Sequence, residues 1–184
     1  MKVIFLDFDG VINDVRTKNR GTKVEEKYVN LLKMIISATN ANVIATSSHK
    51  NEFIGKDYIK RNDGPHSIKH DDTSCFIEYE KPLLEMGVKI YDYTPNLKKN
   101  FLDSRELEID AYLHLHPEIE EFVIVEDEHV ISKYADHQVL IEYANGLSIE
   151  HVEPAINILN GNLGFYPPSY DQTETLEHRI KRIF

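Results

Sequence analysis

The bulk composition of this chain excludes several classes of protein. Its 184 residues, of which 41% are apolar, suffice for one globular domain with a hydrophobic core. No apolar run reaches the ~18 residues of a membrane span, and the net charge of −10 disfavours extended binding to nucleic acid. A single cysteine, Cys75, excludes an internal disulfide framework and, with the short apolar start of the chain, predicts a cytoplasmic location.

Short apolar runs predict the strands of a parallel sheet. They are rich in β-branched residues and continuous rather than alternating, which is typical of strands buried on both faces. In chain order the runs are 3–6, 42–45, 88–91, 122–125 and 139–141.

Helical patterns lie between and after these runs. The first shows apolar residues at three- and four-residue spacing, the second opens on an acidic capping pair, and the third opens on a serine. The predicted helices cover 24–36, 103–117, 148–160 and 173–184. The alternation predicts a doubly wound, Rossmann-like α/β fold, with helices on both faces of a parallel sheet.

We expect a single domain over 1–184 that is interrupted by one insertion. Between Ser47 and Gly87 lie about forty residues, and structureless loops of that length are rare in compact domains. Because the first part is polar, residues 51–86 are predicted to form an insertion over the strand ends, with a partly ordered surface excursion as the alternative. The earlier crossover, 12–39, is long enough only for a minimal cap made of a flap and one helix.

The end of the first strand carries the strongest chemical signal. Asp7 and Asp9 stand two residues apart, and Gly10 follows them and permits a sharp turn. Two close carboxylates repel each other unless a cation intervenes. Mg²⁺ prefers a few carboxylates together with water and phosphate oxygens, so this segment predicts a magnesium site.

A second acidic group follows the fourth strand. Glu126, Asp127 and Glu128 are consecutive at the end of a buried run, where their charges repel unless solvent or a metal neutralises them. The carboxyl ends of parallel strands meet at one edge of the sheet, so these acids are expected to lie near Asp7.

The segment from Val3 to Val11 resembles the first motif of the haloacid-dehalogenase (HAD) superfamily. The resemblance implies that Asp7 attacks phosphorus, whereas Asp9 protonates the leaving group and then activates water. The dehalogenases themselves lack the second acid, so Asp9 favours phosphoryl transfer over carbon–halogen cleavage.

The other motifs of that family match with different strength. A hydroxyl residue ends the second strand, with Thr46 as the better match by position and Ser47 as the alternative. The phosphate-neutralising cation corresponds to Arg105, with Lys98 and Lys99 as competitors. The family ends its fourth strand with paired acids, usually Asp-Asp, which implies that Asp127 binds Mg²⁺ and that Glu126 has a supporting or water-mediated role. Because this chain has Glu-Asp instead, the resemblance leaves open which of the two acids contacts the ion directly.

A narrower resemblance is to small HAD domains associated with RNA-repair proteins. It depends on the hydroxyl residues after the second strand, the basic residue before the fourth strand and three further stretches. A Trp-Arg pair is usual after the two serines, and this chain has His49-Lys50 instead. The stretches that carry the resemblance are 47–48, 93–95, 105–109, 126–127 and 145–148.

These features together predict a magnesium-dependent phosphomonoester hydrolase with an aspartyl-phosphate intermediate. The expected substrate is a phosphorylated small molecule, a nucleotide or a nucleic-acid end, and no membrane partner is expected. The alternatives are a non-catalytic, magnesium-dependent protein that binds a phosphorylated ligand, and a phosphotransferase. The sequence does not determine the oligomeric state.

Overall fold

The computed structural model describes residues 1–18, 21, 23–49, 76–95, 105–128 and 133–163. The predicted helix over 173–184 and most of the predicted insertion, residues 51–75, lie outside this part of the chain. The single domain over 1–184 therefore stays a prediction. None of the described helices has the length and apolar character needed to cross a bilayer.

The described strands form one parallel sheet. They are β1 (Lys2–Leu6), β2 (Asn42–Ala45), β3 (Ile90–Tyr93), β4 (Glu121–Glu126) and β5 (Gln138–Leu140). Their order across the sheet is β3-β2-β1-β4-β5, and every neighbouring pair is parallel. The chain moves outwards from β1 on both sides, which confirms the doubly wound fold and makes the β1–β4 boundary the switch point.

Helices cover both faces of this sheet. The main helices are α1 (Val15–Lys18), α2 (Glu26–Thr39), α3 (Lys81–Glu85), α4 (Arg105–Leu115) and α5 (Ile149–Leu159). Side chains alternate across β1, so Ile4 and Leu6 pack in a cluster with α2, α3 and α5. Val3 and Phe5 pack in a second cluster with α4. The strands are buried on both faces, which explains their continuous apolar runs.

The third strand lies two residues later than predicted. Gly87 has a φ of 87°, and the Val88 N–H donates to the carbonyl of Leu83 at 2.8 Å, so the backbone there still closes the α3 turn. The strand instead continues through Asp92, whose buried carboxylate accepts a hydrogen bond from Tyr112 at 2.9 Å. The apolar pattern was misleading because Val88 is a buried loop residue.

Part of the predicted insertion belongs to the core. Residues Phe76–Glu80 form a π-helical turn that leads directly into α3. Tyr79 and Leu83, which belong to this segment, are fully buried in the same cluster as α2 and α5. The end of the long crossover is therefore a structural element beside the sheet.

Asp14 connects the minimal cap to the rest of the fold. Its Oδ1 accepts hydrogen bonds from the N–H groups of Arg16 and Thr17, both at 2.8 Å, which caps α1. Its Oδ2 lies 2.6 Å from the hydroxyl of Tyr28 and 3.2 Å from Nζ of Lys27. The Tyr28 hydrogen bond, followed by the backbone donors, holds the pKa of Asp14 well below its usual range.

Asp14→Asn is expected to lower the free energy of unfolding near neutral pH by about 1–2 kcal/mol, because hydrogen bonds to a charged acceptor are lost. A carboxyl group with a depressed folded-state pKa stabilises the protein above its unfolded pKa and loses that effect as the pH falls. The difference between the two proteins should therefore shrink below about pH 4. Denaturant unfolding of both proteins at several pH values measures this difference in the free energy of unfolding. A difference that does not depend on pH would contradict the stabilising role of the Asp14 carboxylate.

Candidate functional site

The candidate site is a cavity at the carboxyl ends of β1, β2 and β4. This position is the topological switch point of the sheet, where doubly wound folds bind their ligands. The cavity is lined by polar and charged side chains together with one tyrosine. The lining residues are Asp7, Asp9, Ser47, Ser48, His49, Arg105, Glu126, Asp127, Glu128 and Tyr143.

Acids from two distant parts of the chain meet in this cavity. Asp7 directly follows β1, and its N–H donates to the carbonyl of Val125 at 3.0 Å, which continues the ladder between β1 and β4. Carboxylate oxygens of Asp7, Glu126 and Asp127 all lie within 4.8 Å of one another. Glu126 and Asp127, at the carboxyl end of β4, thus lie near Asp7 as the parallel strand arrangement led us to expect.

The turn after Asp7 depends on Gly10. Its φ of 77° lies in the left-handed region that favours glycine. A Cβ at this position would collide with the carboxylate of Asp127 and would lie 2.6 Å from the ring of Tyr143. The glycine therefore serves the turn and also leaves room for an acid from the other strand.

Among the described residues of the cavity wall, Arg105 carries positive charge into the site. Its Nε donates to Oε2 of Glu126 at 2.8 Å, and its Nη2 donates to Oδ1 of Asp7 at 3.3 Å. Glu108, one turn further along α4, lies 3.9 Å from Nη1. The start of α4 thus brings Arg105 between the two acidic strand ends, as the sequence predicts, whereas Lys98 and Lys99 lie outside the described residues.

The carboxylates are only partly compensated by Arg105. Burial raises the pKa of Asp7 to about 6; the guanidinium of Arg105 opposes this shift, and the charge of Asp127 adds to it. Burial, followed by the charge of Asp7, raises the pKa of Glu126 well above its usual range. The pKa of Asp127 is also raised, mainly by burial. A further cation would relieve this excess of negative charge.

The donor set fits a hard divalent cation. All three clustered groups are carboxylates, which are the ligands that Mg²⁺ prefers, and the open side of the cavity leaves room for water or substrate oxygens. Oε1 of Glu126 is buried and has no hydrogen-bond partner within the described part of the chain. A buried carboxylate oxygen without a donor is costly, and a bound cation would satisfy it.

The hydroxyl residues after β2 differ in their exposure to the cavity. The N–H of Thr46 donates to the carbonyl of Leu6 at 2.9 Å, so Thr46 still continues the ladder, and its side chain is fully buried. Ser47, one residue further, lines the cavity, and its hydroxyl bonds to Asp7 and lowers the pKa of that group. Among the described residues, the geometry favours Ser47 over Thr46 as the hydroxyl that faces a ligand.

Asp9 contacts residues that sequence reasoning did not include in the site. Its Oδ1 accepts hydrogen bonds from Asn13 at 2.9 Å and from the hydroxyl of Tyr79 at 2.8 Å. Its Oδ2 lies 3.2 Å from Nε2 of His49. Tyr79 is far from Asp9 in sequence and belongs to no recognised motif, so no spacing pattern could have indicated it. In the sequence, His49 is distinguished only as a departure from the usual Trp-Arg pair.

Tyr143, which follows β5, forms another part of the cavity wall. Its side chain is 41% exposed and lies beside Gly10. An exposed aromatic ring next to a cluster of acids offers a flat apolar surface to a ligand that the acids bind. A lone tyrosine in a predicted loop carries no sequence signal for such a position.

The comparisons with known proteins agree with this geometry. The model of a family described as the HAD domain in Swiss Army Knife RNA repair proteins matches residues 3–152, a range that includes every residue of the cavity wall. No curated protein and no solved structure matches significantly. The match spans most of the chain, and the resemblance inferred from its motifs is thereby confirmed. The chain therefore belongs to the family of HAD domains in Swiss Army Knife RNA repair proteins.

Proposed function

We propose that the protein is a magnesium-dependent phosphomonoester hydrolase that acts through an aspartyl phosphate on Asp7. The observation that carries this proposal is the convergence of Asp7, Glu126 and Asp127 within 4.8 Å, with Arg105 bound to two of them. Membership in a HAD family supports it, since the chain has the acid at position 9 that the dehalogenases lack.

In the first step, an oxygen of Asp7 attacks phosphorus in line with the bond to the leaving alcohol. The P–O bond to that alcohol breaks, and Asp9 gives its proton to the departing oxygen. Arg105 and Ser47, which both line the cavity, hold the equatorial phosphoryl oxygens, where the charge of a loose transition state resides.

In the second step, Asp9 accepts a proton from water, whose oxygen attacks the phosphorus of the aspartyl phosphate. The bond between Asp7 and phosphorus then breaks, which releases inorganic phosphate and restores the free carboxylate. Asp9 thus acts first as an acid and then as a base, and its protonation state after each step is the one that the next step requires.

We assign the magnesium ligands to the carboxylates of Asp7 and Asp127 and the backbone carbonyl of Asp9, with Glu126 in a supporting role. When bound, the ion would offset the repulsion between the nucleophile and a dianionic phosphate. The buried Oε1 of Glu126, which has no hydrogen-bond partner among the described residues, and the raised pKa of Asp7 support a cation at this place.

For the substrate we propose a phosphate at the end of a nucleotide or nucleic-acid strand. The RNA-repair description of the family supports this choice. The net charge of −10 favours recognition of a strand end over binding along a duplex. The exposed ring of Tyr143 beside the acids is suited to contact with a base or sugar of the leaving group.

The proposal is tested with a panel of phosphomonoesters, assayed with and without Mg²⁺. The panel contains an aryl phosphate, nucleoside monophosphates, and oligonucleotides that carry a phosphate at the 5′ or the 3′ end. We expect release of inorganic phosphate that requires Mg²⁺ and is fastest with a strand end. Binding of an oligonucleotide end without phosphate release would indicate a non-catalytic binding protein. Transfer of phosphate to an added alcohol in preference to water would indicate a phosphotransferase.

A further inference from the structure

The carboxylate of Asp9 is held differently at its two oxygens. Oδ1 accepts hydrogen bonds from Nδ2 of Asn13 and from the hydroxyl of Tyr79. Oδ2 lies beside Nε2 of His49, and the Asp9 side chain is 19% exposed in the cavity wall. An oxygen that already accepts two hydrogen bonds has little room for a proton of its own. The acidic proton of Asp9 therefore belongs on Oδ2.

Tyr79 cannot itself contact a substrate. Its side chain is fully buried and is not among the described residues that line the cavity, and its ring stacks on Phe8 with centroids 4.9 Å apart and an angle of 18° between the rings. The stack places its hydroxyl against Asp9, 2.8 Å from Oδ1 and 3.1 Å from Nε2 of His49. The hydroxyl is thus held by a rigid ring in the core rather than by a mobile side chain.

The contacts among these residues form a consistent chain of donors. With a proton on Nε2, His49 donates to the oxygen of Tyr79, and the hydroxyl of Tyr79 donates to Oδ1 of Asp9. In this arrangement Oδ1 of Asp9 is occupied by two donors, and the acidic proton of Asp9 is carried by Oδ2 at the cavity wall. His49 lines the cavity and is partly exposed, so this series of hydrogen bonds ends on the solvent side at His49.

We propose that Tyr79, together with His49, is a positioning residue that holds Asp9 so that Oδ2 delivers its proton to the leaving alcohol. This inference rests on the proposed phosphatase function and assigns a role to the end of the long crossover between β2 and β3. As the P–O bond breaks, the proton moves from Oδ2 to the departing oxygen. The resulting carboxylate keeps its hydrogen bonds from Tyr79 and Asn13.

The leaving group provides a readout that a purely structural role of Tyr79 would not change. An alkyl alcohol is a poor leaving group and needs the proton of Asp9, whereas dinitrophenol departs readily as an anion. General acid catalysis typically contributes about a hundredfold to ten-thousandfold, so part of this factor should disappear when the acid is poorly positioned. Comparing kcat/KM restricts the measurement to the steps up to release of the alcohol, before water attacks the phosphorus of the aspartyl phosphate.

The test compares Tyr79→Phe with the wild-type protein on phenylethyl phosphate and on dinitrophenyl phosphate, both with Mg²⁺. The variant keeps the ring and its stack on Phe8 and loses only the hydroxyl. We expect kcat/KM to fall about tenfold or more for the alkyl ester and less than about threefold for the dinitrophenyl ester. The matched control is Tyr93→Phe, because Tyr93 is a buried tyrosine whose hydroxyl bonds Glu80, at the end of the π-helical turn that contains Tyr79. Tyr93→Phe should not lower kcat/KM for the alkyl ester more than kcat/KM for the dinitrophenyl ester.

An equal loss with both esters, or no loss with either, would overturn the inference while leaving the phosphatase function intact. Absence of wild-type turnover on both esters would instead overturn the function and the inference together. Thermal unfolding of each variant shows whether it folds. If Tyr79→Phe does not fold, His49→Ala replaces it, since that side chain is 32% exposed and can be removed without opening the core. The same selective loss is expected, and an unselective one would again contradict the role.

Discussion

The Asp7→Asn variant is expected to be at least about a thousandfold less active than the wild-type protein on an aryl phosphate, which corresponds to ~4 kcal/mol in the barrier. The amide cannot form the aspartyl phosphate, so the variant lacks the covalent step altogether. The loss is therefore larger than that caused by weaker stabilisation of the transition state. The measurement is phosphate release under saturating substrate and Mg²⁺. The variant should also fail to incorporate phosphate from a labelled substrate after a rapid acid quench.

The fold should tolerate this substitution. Asp7 is buried among other acids, and burial raises its pKa to about 6, so the metal-free protein loses a poorly solvated charge when it becomes Asn. Asp136→Asn is the matched control, because Asp136 is exposed in the turn before β5 and its replacement changes the net charge equally. Retention of wild-type activity by Asp7→Asn would exclude the covalent mechanism.

Asp127→Asn is expected to lower turnover at saturating Mg²⁺ by about a thousandfold, since a bound metal contributes several kcal/mol to charge stabilisation. Chelation of Mg²⁺ should have the same effect on the wild-type protein. The second readout is thermal unfolding, which does not require activity. A ligand that binds only the folded state adds about 2.7 kcal/mol of stability at a hundred times its dissociation constant, and the variant should lose most of this gain.

Without Mg²⁺, the difference in stability between Asp127→Asn and the wild-type protein should have the opposite sign. Removing the charge of Asp127 relieves repulsion with Asp7, and the pKa of Asp7 is raised in part by that charge. The variant should therefore unfold at the same temperature as the metal-free wild-type protein or at a higher one. Asp136→Asn should keep the full stabilisation by Mg²⁺. Equal stabilisation of Asp127→Asn by Mg²⁺ would show that the ion binds elsewhere.

Much of the fold could be predicted because local patterns of apolar residues indicate the strands directly. Continuous apolar runs indicated strands buried on both faces, and the structure has strands at each of them, with β3 displaced. That displacement arose because Val88 is buried by the turn after α3 and not by the sheet, and hydrophobicity does not distinguish these two kinds of burial.

The candidate site was predictable where chemistry requires an acid beside a strand end. Asp7 and Asp9 follow β1, and Glu126 and Asp127 end β4, so the parallel arrangement alone brings them to one edge. The choice between Thr46 and Ser47 was not predictable in this way. It depends on where the ladder between β1 and β2 stops, which the N–H of Thr46 reveals through its bond to Leu6.

The sequence by itself determined the order of strands and helices, the acids of the candidate site and the family, because each depends on residue type and short-range spacing. Only the tertiary structure decided which other residues surround those acids. Tyr79 and His49 reach Asp9 from the two ends of a long crossover, and Tyr143 approaches Gly10 from beyond β5. Such contacts follow from the packing of segments that are distant in sequence, and this packing produces no spacing pattern that the sequence would show.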